Sequence, residues 1–220
     1  MIHLANYSIT IADASTTKIR GGRVVVIDVL RASSTIVTAL ANGVEEVKPV
    51  DNEEPSDLRD AGYLLAGEYR GVKLPDFDIG NSPTELIEYL KHHEIDRIAL
   101  KTTNFTTSLY KSGIESAYIG SSLNLSAIMQ RLEEDEADAN LVVVGSRFGV
   151  TEDIAVAMAL YNGLNDGLEL DEGYIRRCIL GCRTARYLLG IGYRKDVEFI
   201  SQIDMYEVVP VLNSGMIYCE

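Results

Sequence analysis

The sequence predicts an α/β fold of three layers, with helices on both faces of a largely parallel, mixed central sheet, in one domain spanning residues 1–220. Three observations carry that expectation. Short Val- and Ile-rich runs recur along the chain and are apolar throughout, the signature of strands covered on both faces. Amphipathic segments of helical length separate them, as crossover connections between parallel strands require. The composition, 46% hydrophobic and 24% charged over 220 residues, supplies a core and excludes a disordered chain.

The elements follow in order. A first strand covers Arg23 to Asp28, and the helix after it, Thr35 to Asn42, stops at Gly43, a residue free to take the left-handed conformation at a helix end. Further strands are expected at Glu46 to Val50, Tyr63 to Ala66, Arg97 to Lys101, Glu115 to Gly120 and Leu141 to Gly145. Ser82-Pro83-Thr84-Glu85 is a capping box with Pro at the first helical position, so a helix begins there. Asp171 to Leu189 reads as one long helix and Asp196 to Gln202 as a short one; Val208 to Leu212 and Gly215 to Tyr218 read as a closing antiparallel hairpin at the sheet edge. The strand–loop–helix plan around Arg31 is echoed around Arg147, an echo that α/β chains produce in general.

Charge excludes some functions. Lys and Arg number 20 and Asp and Glu 33, a net charge of −13 that repels phosphodiester backbones and anionic lipid, so neither nucleic acid nor membrane is an expected partner. A small anion is still admissible where a few basic groups or a metal reverse the potential inside one cleft. The three cysteines, Cys178, Cys182 and Cys219, are too few and too clustered for a disulfide framework, and with no signal peptide or apolar 18-residue run the expected location is the cytoplasm.

Ligands of open parallel sheets bind beyond the carboxyl ends of the strands. The residues there are acids, bases, hydroxyls and amides. Asp28, Glu68, Asp78, Glu152 and Asp153 are hard oxygen donors suited to a divalent cation such as Mg2+. Arg31, Lys101 and Arg147 suit an oxyanion, Ser33, Ser34, Ser82, Thr102 and Thr103 lie at helix starts where backbone N–H groups bind anions, and Asn81 and Asn104 follow strand ends. Acids for a metal beside bases for an anion indicate phosphate-ester chemistry. The competing structural account makes Ser34, Ser82 and Thr151 helix caps and Glu152 and Asp153 first-turn acids favoured by the helix dipole. P-loop, dinucleotide-binding and nucleophile-elbow motifs are missing from the sequence.

Val26-Ile27-Asp28-Val29-Leu30-Arg31-Ala32-Ser33-Ser34-Thr35, Gly67-Glu68, Phe77-Asp78-Ile79-Gly80-Asn81-Ser82-Pro83, Thr102-Thr103-Asn104 and Glu152-Asp153 together resemble the 2-phosphosulfolactate phosphatase family of coenzyme M biosynthesis. The resemblance runs through most of the chain and extends to Lys195-Asp196-Val197-Glu198-Phe199 and Val208-Val209-Pro210. It implies a three-layer α/β/α fold and a magnesium-dependent phosphatase that converts 2-phosphosulfolactate to sulfolactate and phosphate. On that basis Asp28, Arg31 and Glu68 are the expected catalytic residues. Asp28, Glu68, Asp78, Glu152 and Asp153 form the pool of metal ligands, and Ser33, Ser34, Asn81, Ser82, Lys101, Thr102, Thr103, Asn104 and Arg147 bind substrate. Phe105 stands where the family usually has Gly, a bulky ring that would either narrow the cleft or change the organic part of the substrate; Ser108 replaces a usual small residue, and Gly145–Gly149 lacks a Cys often found there. These departures leave open a phosphatase of another phosphorylated hydroxy acid, a related lyase or isomerase, or a non-catalytic anion-binding relative. Direct attack by water and a covalent route through Asp28 or Ser33 stand side by side, and assembly into a homo-oligomer is not decided by the sequence.

Overall fold

The computed structural model describes residues 7–11, 21–145 and 148–219. Its first half runs β1 (Tyr7–Ile11), β2 (Arg23–Ile27), α1 (Ala32–Ala41), β3 (Glu46–Pro49), α2 (Pro55–Asp60), β4 (Leu64–Tyr69), β5 (Val72–Lys73), α3 (Pro83–Leu90) and β6 (Arg97–Lys101). The second half runs α4 (Phe105–Ser112), β7 (Ser116–Gly120), α5 (Leu125–Asp135), β8 (Ala139–Val143), α6 (Thr151–Asp166), α7 (Glu172–Gly181), α8 (Arg183–Gly190), α9 (Arg194–Ile200), β9 (Pro210–Asn213) and β10 (Met216–Cys219).

Ten strands among the described residues form one mixed sheet in the order β1-β8-β2-β7-β9-β10-β3-β6-β4-β5. It contains two parallel blocks, β1-β8-β2-β7 and β3-β6-β4, joined by the antiparallel hairpin β9-β10. The hairpin was expected at the edge; it sits in the middle, with β9 antiparallel to β7 and β10 antiparallel to β3. That arrangement reverses the hydrogen-bonding sense between the blocks. Six intervals separate β2 from β4, and a twist of roughly 20–25° at each turns one block most of the way round relative to the other. The carboxyl ends of both blocks thereby reach one cleft.

Side-chain alternation builds the layers. From β2, Val24 and Val26 join α1, α3 and α4 in one buried cluster, which includes Ile36, Leu86 and Phe105. Val25 and Ile27 point to the opposite face, into a cluster built by α5, α6, α7, α8 and α9. Each fully buried Val or Ile contributes about 1.5–3 kcal/mol, so β2, with Val25, Val26 and Ile27 at most 1% exposed, is strongly fixed in register. A third cluster, Leu58 of α2 with Tyr63, Leu65, Phe77 and Ala99, covers the outer face of the second block. No helix among the described residues is long and apolar enough to cross a membrane.

The predicted helix from 171 to 189 is broken at Cys182, whose extended backbone ends α7 and begins α8. The Cys182 Sγ accepts the Ala185 N–H at 3.2 Å, doing the work of an N-cap. At α3 the Ser82 hydroxyl caps the Glu85 N–H as expected, but the Glu85 carboxylate reaches back to the Gly80 N–H rather than to Ser82.

Candidate active site

The cleft of about 120 Å³ between the two blocks is lined by Asp28, Leu30, Arg31, Glu68, Arg70, Gly71, Asn81, Thr102, Thr103, Asn104, Phe148, Thr184, Tyr187 and Leu188. Of the predicted residues, Asp28, Arg31, Glu68, Asn81, Thr102, Thr103 and Asn104 converge here from four segments of the chain.

Asp28 leaves the sheet directly after β2, in a turn whose geometry the two following serines impose. The Ser33 hydroxyl accepts the Asp28 N–H at 2.9 Å, and the Ser34 hydroxyl donates to the Val29 carbonyl at 2.7 Å while pairing with Ser121. Ser33 and Ser34 therefore knit the turn and are not among the residues that line the cleft. Burial pushes the Asp28 carboxyl up to about 7, and the nearby Glu68 and Glu152 carboxylates push it the same way, against opposition from a backbone N–H and Arg31.

Glu68 closes β4. Its carboxylate accepts the Thr103 N–H at 2.6 Å, the Thr103 hydroxyl at 2.9 Å and, by a very short bond, the Gly71 N–H. These bonds tie the loop before α4 to the two-residue turn Arg70-Gly71. That turn is held again from outside: Arg70 N–H donates to the Thr103 hydroxyl at 2.8 Å, and the Tyr187 hydroxyl of α8 donates to the Arg70 carbonyl at 2.8 Å.

Arg31 is buried, with its guanidinium donating to Asp196 of α9 at 2.9 Å and to the Gly71 carbonyl at 2.7 Å. Its Cζ lies 4.0 Å from the centroid of the Tyr193 ring. Asp196 is held in turn by the Ser82 and Thr84 hydroxyls at 2.7 and 2.5 Å. Ser82 thus acts behind Arg31 rather than on the cleft. Asn81 is buried and its Oδ1 has no hydrogen-bond partner among the described residues.

Several other predicted residues have partners away from the cleft. Asp153 spends both oxygens on backbone, accepting Val29 N–H at 2.7 Å and Gly145 N–H at 2.9 Å; burial, then Asp28 and Glu152, hold its carboxyl well above the ordinary range. It clamps the ends of β2 and β8. Asp78 accepts the Leu65 N–H and pairs with Arg59 at 2.8 Å, in a wider groove of about 960 Å³ that contains neither Asp28 nor Glu68. Lys101 donates to the Asp51 carbonyl, outside the cleft. Phe105 is fully buried in the core and narrows nothing. Glu152 is buried beside Asp28 and Cys182 without lining the cleft, and the Cys182 thiol is pushed up to about 12, first by burial and then by Glu152. Such a thiol is inert as a nucleophile. Arg147 lies outside the described residues.

Sequence reasoning missed Arg70, Gly71, Phe148, Thr184, Tyr187, Leu188 and Asp196. Only Arg70-Gly71 carried a readable signal, a two-residue turn ending in Gly between Tyr69 and Val72. Among the described residues no three His, Cys, Asp or Glu side chains are arranged to hold a metal ion. What the cleft does present is the pair Asp28 and Glu68, and magnesium is commonly held by one or two carboxylates together with substrate phosphate and water. Burial first, and then the Glu68 and Glu152 carboxylates, raise the Asp28 carboxyl, and a cation beside it would favour its ionised form.

The family described as 2-phosphosulpholactate phosphatase matches residues 9–215 of the chain. The chain is 39% identical over 209 residues to a "Probable 2-phosphosulfolactate phosphatase" of Thermotoga petrophila, covering 87% of this chain and 89% of that relative. A relative of the same description in Thermotoga maritima is 38% identical over the same shares of both chains. A "2-phosphosulfolactate phosphatase" of Methanothermobacter thermautotrophicus is 32% identical over 208 residues, 89% of each chain.

Proposed function

Because the chain belongs to the 2-phosphosulfolactate phosphatase family, we propose that it is a magnesium-dependent phosphatase that hydrolyses 2-phosphosulfolactate to 3-sulfolactate and phosphate, in a single cytoplasmic domain serving coenzyme M biosynthesis. The observation that carries the reading is the juxtaposition, in one small cleft, of the Asp28–Glu68 carboxylate pair with Arg31.

Asp28 and Glu68 would hold Mg2+, which when bound neutralises phosphoryl charge and acidifies a coordinated water. Arg31, oriented by Asp196 and Tyr193, has N–H groups left to take phosphoryl oxygens, and a guanidinium presents them in a planar fork. Asn104 lines the cleft and precedes α4 without capping it, so its side chain serves the anion. Thr102 stays occupied with Thr106 and fixes the turn. Water adds to phosphorus while the bond to the C2 oxygen breaks; the electron pair leaves on that oxygen, which takes up a proton. In this route the chain supplies positioning and charge, the main contributions to phosphoryl transfer.

The test is phosphate release from 2-phosphosulfolactate and from a panel of other phosphorylated hydroxy acids, with and without Mg2+. Release that depends on Mg2+ and is abolished in a folded Asp28→Asn variant is expected. Full turnover in that variant, or release indifferent to the metal, overturns the assignment.

A further inference from the structure

We infer that Arg70 is a specificity-determining residue that receives the sulfonate, the non-reacting end of the substrate; this rests on the phosphatase reading above. Four observations converge on it. Arg70 has φ of 53°, in the left-handed region that a side chain with a Cβ adopts at a cost, and it precedes Gly71 with φ of 84°. Two consecutive left-handed residues joining Tyr69 to Val72 make the tight hairpin turn in which Asn or Gly is the usual first residue. Backbone strain of this kind concentrates at binding and catalytic sites, and of the four non-Gly residues with positive φ among those described Arg70 is the one that lines the cleft.

The turn is also immobilised. Arg70 donates to Thr103 and accepts from Tyr187, and Gly71 donates to Glu68 and accepts from Arg31. All four backbone groups are tied to residues that line the cleft, so the base of the Arg70 side chain is registered against Glu68 and Arg31.

The side chain itself is uncommitted. Arg70 is exposed and makes no ion pair among the described residues, its ring contact being with the adjacent Tyr69 at 5.3 Å. Arg31, the other basic residue lining the cleft, is already balanced by Asp196. Arg70 is therefore the one uncompensated positive charge among the described lining residues, and it stands at the rim.

The chemistry of the substrate fits that placement. 2-Phosphosulfolactate carries three acidic groups on three carbons: the phosphate that reacts, a carboxylate and a sulfonate. With the phosphate at Asp28, Glu68 and Arg31, a second anionic group reaches outward toward the rim, and a guanidinium pairs with the flat oxygen face of a sulfonate.

The test compares kcat/KM for 2-phosphosulfolactate with that for 2-phospholactate, which keeps phosphate and carboxylate but has no sulfonate. In Arg70→Gln and Arg70→Gly the ratio should fall about tenfold or more, the worth of one charge-assisted contact, and Arg70→Lys should restore part of it. Arg70→Gly should also melt at an equal or higher temperature than wild type, since it relieves the left-handed strain. An unchanged ratio in both variants, or an equal loss on both substrates, overturns the inference. Should wild type release phosphate from neither compound, the phosphatase reading fails by itself. Calorimetric binding of 3-sulfolactate against lactate then decides the role of Arg70, with a preference for sulfolactate that vanishes in Arg70→Gln as the supporting result and no preference as the contrary one.

Discussion

Arg31 and Asp196 are 165 residues apart in the chain and meet at 2.9 Å, with side chains 2% and 1% exposed. Removing one partner of such a pair strands the other charge in a medium that solvates it poorly, at a cost of about 3–5 kcal/mol. Asp196→Ala should lose stability on that scale in urea denaturation. Asp196→Glu, which keeps the charge, should lose less stability but still depress kcat, because Arg31 is displaced. Wild-type stability in Asp196→Ala would show that the pair holds nothing in place.

Asp78 and Glu68 give opposite expectations for the metal. Asp78 is bound to Arg59 in a partly exposed pair, with side chains 25% and 44% exposed, and such pairs are worth about 1 kcal/mol or less. Asp78→Asn should leave the Mg2+ concentration for half-activation unchanged. Glu68→Gln should raise it by about tenfold or more. Equal shifts in the two variants would contradict the division of roles.

The pH dependence of stability follows from Asp28. Its carboxyl rises from an ordinary 3.8 to about 7 on folding, so between those values the folded chain keeps a proton that the unfolded chain has released. The stabilising contribution is complete below 3.8 and is lost as pH rises through about 7; Asp153, also raised, acts in the same direction. Metal-free protein should melt lower at about pH 8 than at about pH 5, with a shallower slope in Asp28→Asn. Added Mg2+ should restore more at the higher pH, where the carboxylate is ionised. A profile identical in wild type and Asp28→Asn would remove Asp28 as the source.

Gly71 tests how closely the hairpin must approach α8. A Cβ there would lie 3.1 Å from Tyr187 Cε1 and 3.2 Å from Ile191 Cδ1, on a residue with φ of 84°. Gly71→Ala should cost about 1–3 kcal/mol and should lower activity as well, because the same turn accepts from Arg31 and donates to Glu68. Thermal melting and kcat/KM read together check it; loss of stability with full activity would detach the turn from the site.

The carboxyl-end residues of the strands were legible because an apolar run ending in Asp28 or Glu68 marks both the strand and its functional end. Asp28, Glu68, Asn81 and Thr102 to Asn104 were found that way, and all line the cleft. What stayed hidden was set by partners far off in sequence. Nothing near Asp196 announces Arg31, and nothing near Asp153 announces two backbone N–H groups at the ends of other strands. The serines after Asp28 carry the residue type of an anion loop, yet turn geometry claims their hydroxyls first. The break at Cys182 was unreadable because its sulfur replaces the usual oxygen cap, and helical periodicity continues across it.

The hairpin at the middle of the sheet orders events during synthesis. Residues 210–219 join the two parallel blocks, and they leave the ribosome after every strand they connect. Each block can collapse on its own helices early, but the strand pairings that bring Asp28 opposite Glu68 have the long sequence separations that slow folding. The cleft is thus assembled only once these residues have emerged, and a nascent chain still lacking the ten of them has two unpaired inner strand edges that invite association with other chains.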